Sequence, residues 1–418
     1  MKTEVLPSAV AGTVRAITSK SYAHRLLIAA ALGDTPCEVV CRDLSEDIDA
    51  TLRCIVALGA VADKTERGFL VTPVPRENAA KECVLDCGES GSTLRFMLPV
   101  ACALGRKAEF TGRGRLPDRP IGGLADCLKA HGITFSADRL PFSTEGKLEC
   151  GVYDVPAGVS SQYVSGMLLA LSCLHGNSLL RTQGKRVSQG YLNITLDVLS
   201  RFGAEVCDDG EAFRITGGLH SPSTVVAEGD WSNAAFLLAA GALAGDVTVT
   251  GLDPDSKQAD KRIYDLLMTA GADVSKDGDA FRARKSALSP FRADLSDIPD
   301  LAPVLSVLAG AANGVSVFTG AARLREKESD RLAAVMSNLA AMGVRSEYDE
   351  TEDALRIYGG KISPFKARSF NDHRMVMSAA VAGLVAGGTI DNIAPVKKSY
   401  PDFFEVLNAL GGKTNETV

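Results

Sequence analysis

Two hydrophobic patterns alternate along the chain. The first is amphipathic: apolar residues recur at helical spacing, charged residues fill the other face, and a glycine leads into a turn and a strand. It appears as "TLRCIVALGAV", "LADCLKAHGIT", "TLDVLSRFGAE", "YDLLMTAGADV", "MSNLAAMGVRS" and "FEVLNALGGKT". The glycines are Gly59, Gly132, Gly203, Gly271, Gly343 and Gly411, at steps of 73, 71, 68, 72 and 68. A sixfold repeat of this kind makes each copy one supersecondary unit. Glycine at that point fits a helix C-cap, where the backbone needs positive φ. Strand-like pieces such as "GFLVTP", "AFRITGG", "AFRAR" and "ALRIYGG" follow several copies.

The second pattern is a helix-length segment that is nearly all apolar: "SKSYAHRLLIAAALG", "ESGSTLRFMLPVACALG", "SSQYVSGMLLALSCLHG", "DWSNAAFLLAAGALAG", "DIPDLAPVLSVLAGAA" and "FNDHRMVMSAAVAGLVAGG". Ser19, Ser90, Ser160, Ser232, Asp300 and Asp372 mark the starts, at steps of 71, 70, 72, 68 and 72, so both patterns share one period. A helix apolar all round must be buried. The packing that follows puts this series inside and the amphipathic series outside, against sheets. The fold class is α/β, and six units suit two similar domains of three, in keeping with 418 residues.

Composition narrows the class. At 46% hydrophobic and 23% charged residues the chain is globular, and a net charge of -6 argues against nucleic acid or an anionic membrane as partner. The longest apolar runs, near Phe236 to Gly245 and Met375 to Gly388, are shorter than the roughly 18 residues of a membrane span. The opening "MKTEVLPSAV" does not read as a signal peptide, so a cytoplasmic location is expected. Ten cysteines include no CxxC pair, and Cys37 with Cys41 and Cys83 with Cys87 lack histidines at ligand spacing. Reduced, buried thiols and no metal are the expectation.

The starts of the apolar helices carry the chemistry. Phe370 to Gly388 reads as a buried helix that opens with Asn371, Asp372, His373 and Arg374. Ser, Asp and Asn are ordinary N-caps, and His373 reads as structural, but a cation at a helix start opposes the helix dipole. Lys20, Arg25 and Arg95 repeat that placement. A bound anion explains it, since backbone N–H groups, hydroxyls and cations then face one ligand. The loops "GRGRLPDRPIGG", with Arg113, Arg115 and Arg119, "RLREKESDRL", with Lys327, Glu328 and Arg331, and "VKKSYPDFFEVL", with Lys397 and Lys398 before a helix opened by Pro401, add cations. Among them stand two acids, Asp300 and Glu328, suited to general acid and base work. Neither a P-loop nor a Rossmann glycine motif is present. The residues point to an enzyme handling phosphorylated, acidic small molecules without a metal.

In order, the segments "SKSYAHR", "GESGSTLRF", "LPDRPIGG", "SSQYVSG", "VSQGY", "IPD", "KESDRL", "NDHRM" and "KKSYPDFF" resemble the enolpyruvyl transferase family, on the branch that acts on shikimate 3-phosphate. The likeness spans nearly the whole chain. It implies two domains, each three copies of a βαβαββ unit in an inside-out α/β barrel, with inner helices starting at an interdomain cleft that holds the active site. Residues 19–225 would form the first domain and 1–18 plus 226–418 the second, joined by two crossovers. The implied reaction moves the enolpyruvyl group of phosphoenolpyruvate to the 5-hydroxyl of shikimate 3-phosphate and releases phosphate, in a monomer with no cofactor.

Residue by residue, the resemblance gives Ser21, Arg25, Ser160, Ser161, Gln162, Ser188, Tyr191, Asp300 and Lys327 to shikimate 3-phosphate. It gives Lys20, Gly91, Arg119, Gln162, Arg331, Arg374 and Lys398 to phosphoenolpyruvate. Asp300 would take the hydroxyl proton, and Glu328, with Lys20, would protonate the methylene carbon. Glu89 and Arg323 stand where the family often has asparagine, which bears on the detailed substrate contacts. Gly91 is retained, which implies sensitivity to glyphosate. Two other readings are the sister activity toward UDP-N-acetylglucosamine and a non-catalytic binder of phosphorylated ligands. The sister enzyme usually carries a cysteine or aspartate in the loop matching "GRGRLPDRP" and a "KN" pair near its start; here the loop has no cysteine and "SKS" replaces the pair.

Overall fold

The computed structural model describes residues 2–75 and 82–417. The chain divides into two compact units: an insert unit, Thr18–Glu228, and a terminal unit made of Met1–Ile17 and Gly229–Val418. The divisions fall one residue before and three residues after those expected from the sequence. The reason is a strand: Thr224–Val226 pairs in parallel with Cys37–Val40, so it completes a sheet of the insert unit before the chain leaves. Each crossover is stitched within its own unit, by Ser19 N donating to Glu228 O at 2.8 Å and Asp230 N to Ile17 O at 2.8 Å.

Among the described residues each unit holds three four-stranded sheets of one design, a parallel pair extended by two antiparallel strands. In the insert unit Val152–Pro156 runs parallel to Asn177–Gln183, which is antiparallel to Ala212–Thr216, itself antiparallel to Glu205–Asp208. The parallel pair requires a crossover helix between its strands; the antiparallel pairs do not. Two sheets of the terminal unit recruit the N-terminal segment: Val10–Arg15 pairs with Gly245–Thr250, and Lys2–Leu6 lies between Gly388–Ile390 and Lys413–Thr417.

Among the described residues twelve α-helices alternate in type. They are α1 (Lys20–Leu32), α2 (Glu46–Ala57), α3 (Gly91–Ala103), α4 (Gly122–Lys129), α5 (Ser161–Ser172), α6 (Gln189–Arg201), α7 (Trp231–Ala244), α8 (Ile263–Thr269), α9 (Ala302–Ala311), α10 (Arg331–Ala341), α11 (His373–Ala386) and α12 (Phe403–Ala409). The odd-numbered set is the apolar series, and α7 is buried at every position. The even-numbered set buries one face; α2 buries Ile48, Ala50, Thr51, Cys54 and Ile55, with Glu46, Asp47 and Asp49 in its first turn. All six repeat glycines have positive φ, from 72° at Gly203 to 109° at Gly59. An L-residue there costs about 1–2 kcal/mol, which explains why the period is written in glycine.

Several helix starts differ from the sequence reading. Asp230, not Ser232, caps α7, its carboxylate accepting from Asn233 N at 2.7 Å. Asp300 lies one residue before the Leu301 cap of α9, because Leu301 N closes a turn onto Ile298 O. Phe370 and Asn371 have positive φ, so α11 begins only at His373, capped by Asp372. Pro401 precedes the Asp402 cap of α12 rather than opening the helix. All ten cysteines are free, but Cys150 and Cys207 are exposed rather than buried.

Helices α3 and α5 approach closely because Gly166 has no side chain. A Cβ there would lie 2.3 Å from Arg95 O and 3.1 Å from Pro99 Cγ. Gly166→Ala must therefore separate two packed helices, and overpacking of this kind costs about 1–3 kcal/mol. In urea denaturation the substitution is expected to lower the midpoint with an unchanged slope; an unchanged midpoint would show that the contact is not needed.

Candidate active site

In the insert unit, polar groups gather at the starts of α1, α3, α5 and α6. Arg25, 2% exposed, projects from the second turn of α1. Its Nε donates to Thr195 Oγ1 at 2.7 Å, Nη1 to Ser21 O at 2.7 Å and Nη2 to Tyr191 O at 3.2 Å. Its guanidinium carbon lies 4.7 Å from the Phe96 ring centroid. Neutral oxygens and a ring surround this charge, and burial pushes its pKa down to about 10. Lys20, one turn earlier, pairs with Asp47 of α2 at 2.9 Å.

A buried chain of side chains joins these helices. His24 Nδ1 lies 2.7 Å from Thr51 Oγ1, which is 2.7 Å from Thr93 Oγ1, which donates to Ser90 Oγ at 2.8 Å. Burial, then the charges of Lys20 and Arg25, hold His24 well below its ordinary pKa, so it is neutral. The chain fixes Ser90, the α3 cap, against α1 and α2.

Pro120 O ties the loop before α4 to the same place, accepting from Arg95 Nη2 at 3.1 Å and Tyr163 Oη at 2.7 Å. The next residue back, Arg119, packs on Gly91: a Cβ on Gly91 would lie 2.3 Å from Arg119 Nη1. Gln162, in the first turn of α5, accepts from Arg95 Nη1 at 2.6 Å and donates to Ser92 Oγ at 2.7 Å. Ser160 caps α5, Ser161 is its first residue, and Ser188 precedes α6 with φ 53°. Glu89 turns toward the same loop, its carboxyl carbon 2.5 Å from where a Gly114 Cβ would stand. Ser21, Arg25, Ser160, Ser161, Gln162, Ser188, Tyr191, Lys20, Gly91 and Arg119 thus all lie at helix starts or the adjoining loop of one unit.

The terminal unit has the opposite character. Arg331, the first residue of α10, is fully buried and meets three carboxylates: Nη1 with Asp300 at 2.6 Å, Nη2 with Glu328 at 2.5 Å and Nε with Asp372 at 2.9 Å. Burial opposes its charge, but Asp372, Glu328 and Asp300 overcome that and hold its pKa well above the usual value. Arg374 reaches Asp300 Oδ2 at 3.0 Å and Ser232 Oγ at 2.5 Å. Asp372 serves twice, since its Oδ1 accepts from Arg374 N at 2.9 Å and its Oδ2 from Ser329 Oγ at 3.0 Å. Burial pushes the Lys327 ammonium down to about 8, against the pull of Asp300. Lys398 Nζ donates to Asn371 O at 2.8 Å, and Arg323 donates to Ser296 O.

Asp300, Glu328, Lys327, Arg331 and Arg374 therefore gather at the starts of α9, α10 and α11 and their loops, and Lys398 reaches the loop before α11 from the turn that precedes α12. Sequence reasoning overlooked Asp47 and Asp260 and took Asp372 only as a cap. Asp47 and Asp260 sit in segments whose pattern is that of a solvated helix start, and an ordinary cap accounted for Asp372, so the sequence held no separate signal for them.

A family model described as EPSP synthase (3-phosphoshikimate 1-carboxyvinyltransferase) matches residues 6–407. A 3-phosphoshikimate 1-carboxyvinyltransferase of Clostridium kluyveri is 38% identical over 419 residues, covering 98% of this chain and 97% of its own. One from Methanothrix thermoacetophila is 39% identical over 420 residues, with 98% of each covered. The solved EPSP synthase from Acinetobacter baumannii superposes with a TM-score of 0.82 at 24% identity over 100% of both chains. The enolpyruvyl transferase NikO from Streptomyces tendae does so at 0.74 and 19% identity, over 100% of this chain and 98% of that one. These last two bear on the fold alone. With a family model covering almost the full length and relatives this similar end to end, the chain belongs to the EPSP synthase family.

Proposed function

We propose that the chain transfers the enolpyruvyl group of phosphoenolpyruvate to the 5-hydroxyl of shikimate 3-phosphate, releasing phosphate. The observation that carries this reading is the buried Arg25, whose partners are all neutral. Burying a charge without a counter-charge costs several kcal/mol, and an anionic substrate at that point offsets it. The names of the curated relatives favour shikimate 3-phosphate over UDP-N-acetylglucosamine as acceptor.

In this reading Ser21, Arg25, Ser160, Ser161, Gln162, Ser188 and Tyr191 hold shikimate 3-phosphate, with Lys327 and Asp300 also contacting it. Lys20, Gly91, Arg119, Gln162, Arg331, Arg374 and Lys398 hold phosphoenolpyruvate. Asp300 takes the proton of the 5-hydroxyl as its oxygen bonds to C2 of phosphoenolpyruvate. Glu328, with Lys20, delivers a proton to the C3 methylene, and a tetrahedral adduct forms. Glu328, now ionised, takes one methyl proton as the C2–O bond to phosphate breaks, phosphate leaves, and the C2–C3 double bond of the enol ether product forms. The cations stabilise the phosphate and carboxylate charges throughout.

Supporting this assignment, Asp300 and Glu328 are held by the same guanidinium, that of Arg331, which fixes both carboxylates in place. The substrate anions would compete for that guanidinium, releasing the carboxylates for proton transfer. A binding protein would gain nothing from carboxylates beside cations meant for an anion, because they weaken affinity.

Phosphate release from phosphoenolpyruvate is expected with shikimate 3-phosphate and not with UDP-N-acetylglucosamine. General acid–base catalysis is worth about 10²–10⁴-fold, so Asp300→Asn and Glu328→Gln should each lower kcat by at least that lower figure, and Lys20→Ala should abolish release. Full turnover in the double variant would remove both roles, and release with the nucleotide sugar would favour the sister activity. Gly91→Ala must displace the Arg119 guanidinium. Charge-assisted hydrogen bonds contribute about 1.5–3 kcal/mol, so KM for phosphoenolpyruvate should rise roughly tenfold or more. Glyphosate, competing at the same place in the parent chain, should weaken in parallel. Steady-state kinetics with both ligands checks this, and an unchanged KM would place the substrate elsewhere.

A further inference from the structure

Asp260 lies in the short turn Ala259–Arg262 ahead of α8 and is only 5% exposed. Its carboxyl lies within reach of the Ser232 hydroxyl, and its Oδ1 is buried with no hydrogen-bond partner. Ser232 Oγ in turn accepts from Arg374 Nη1 at 2.5 Å. Because that hydroxyl has a single proton, donating it to Asp260 turns its lone pairs toward Arg374. The acid thus sets the direction in which the serine can hold the guanidinium.

The charged groups facing Asp260 are Asp300 before α9, Arg374 of α11 and Asp230 at the start of α7. On its own turn, Lys261 is directed away, to Pro254 O. Burial first, and then the charge of Asp300, push the Asp260 carboxyl up to about 7, against the pull of Arg374. A buried ionised carboxylate with an unmet oxygen is costly, and protonation removes its charge. Were Asp260 ionised, Arg374 would face two carboxylates before any substrate anion arrived.

We propose that Asp260 is a positioning residue that sets how firmly Arg374 holds phosphoenolpyruvate: neutral, it aligns Ser232 and leaves the guanidinium charge to the substrate; ionised, it competes with the substrate for that charge. The inference rests on the assignment of Arg374 to phosphoenolpyruvate. The carboxyl is neutral below its raised pKa, so affinity is highest there and falls as rising pH ionises it. Substrate binding at Arg374 is accordingly coupled to proton uptake by Asp260.

The test is the dissociation constant of phosphoenolpyruvate on the full chain with shikimate 3-phosphate present, for the parent, Asp260→Asn, Ser232→Ala and Arg374→Ala. Taking the ratio of parent to Asp260→Asn at each pH cancels the ionisation of the ligand itself. One buried like charge removed at this range should make that ratio rise on the order of fivefold between about pH 6 and about pH 8.5. A ratio constant with pH would overturn the inference. Ser232→Ala, which cuts the link while keeping the acid, should weaken binding several-fold already at the acid end, and unchanged affinity would likewise overturn it. If Arg374→Ala binds as the parent does, the assignment of Arg374 fails, and the inference falls with its foundation rather than on the behaviour of Asp260.

Discussion

A guanidinium buried among neutral oxygens is the constraint on which the insert unit depends. Arg25 costs stability where it stands: burial depresses its pKa, and two backbone carbonyls, two hydroxyls and an aromatic face only partly compensate. A sequence selected for stability alone would place an apolar residue there. The neighbouring His24, Thr51, Thr93 and Ser90 chain spends further buried polar groups on holding the helix starts in register. Both features are local losses that make sense when an anion completes the site.

The terminal unit meets a related problem with the opposite arrangement. Its central cation, Arg331, is not left wanting but is surrounded by Asp300, Glu328 and Asp372. Here Arg331 and Arg374 hold the carboxylates in position. Asp372 illustrates how closely fold and chemistry are joined, since one carboxylate caps α11 and grips Arg331.

Much of this architecture was legible because it repeats. Six glycines at one period announced six helix ends, and every one has the positive φ that demanded glycine. The apolar helices announced themselves because burial on all sides leaves no polar face to hide the pattern. The helix starts were read less well. Asp230 and Ser232 are both good caps, and only the turn that brings Asp230 Oδ1 to Asn233 N decides between them. The partners of the N-terminal strands, near residues 245, 388 and 413, were not legible, since pairing across hundreds of residues leaves no local trace. Asp47, Asp260 and the second role of Asp372 were missed for a different reason: an acid beside a helix start looks alike whether it faces water or a buried cation.

The most direct measurement is thermal denaturation of the parent and Arg25→Met, with and without shikimate 3-phosphate. Methionine fills similar volume without charge. If Arg25 is buried for the sake of an anion, the ligand-free variant should melt no lower than the parent, and shikimate 3-phosphate should raise the Tm of the parent alone. A variant that melts several degrees lower without ligand, yet is still stabilised by shikimate 3-phosphate, would show that Arg25 serves the fold and that the anion binds elsewhere.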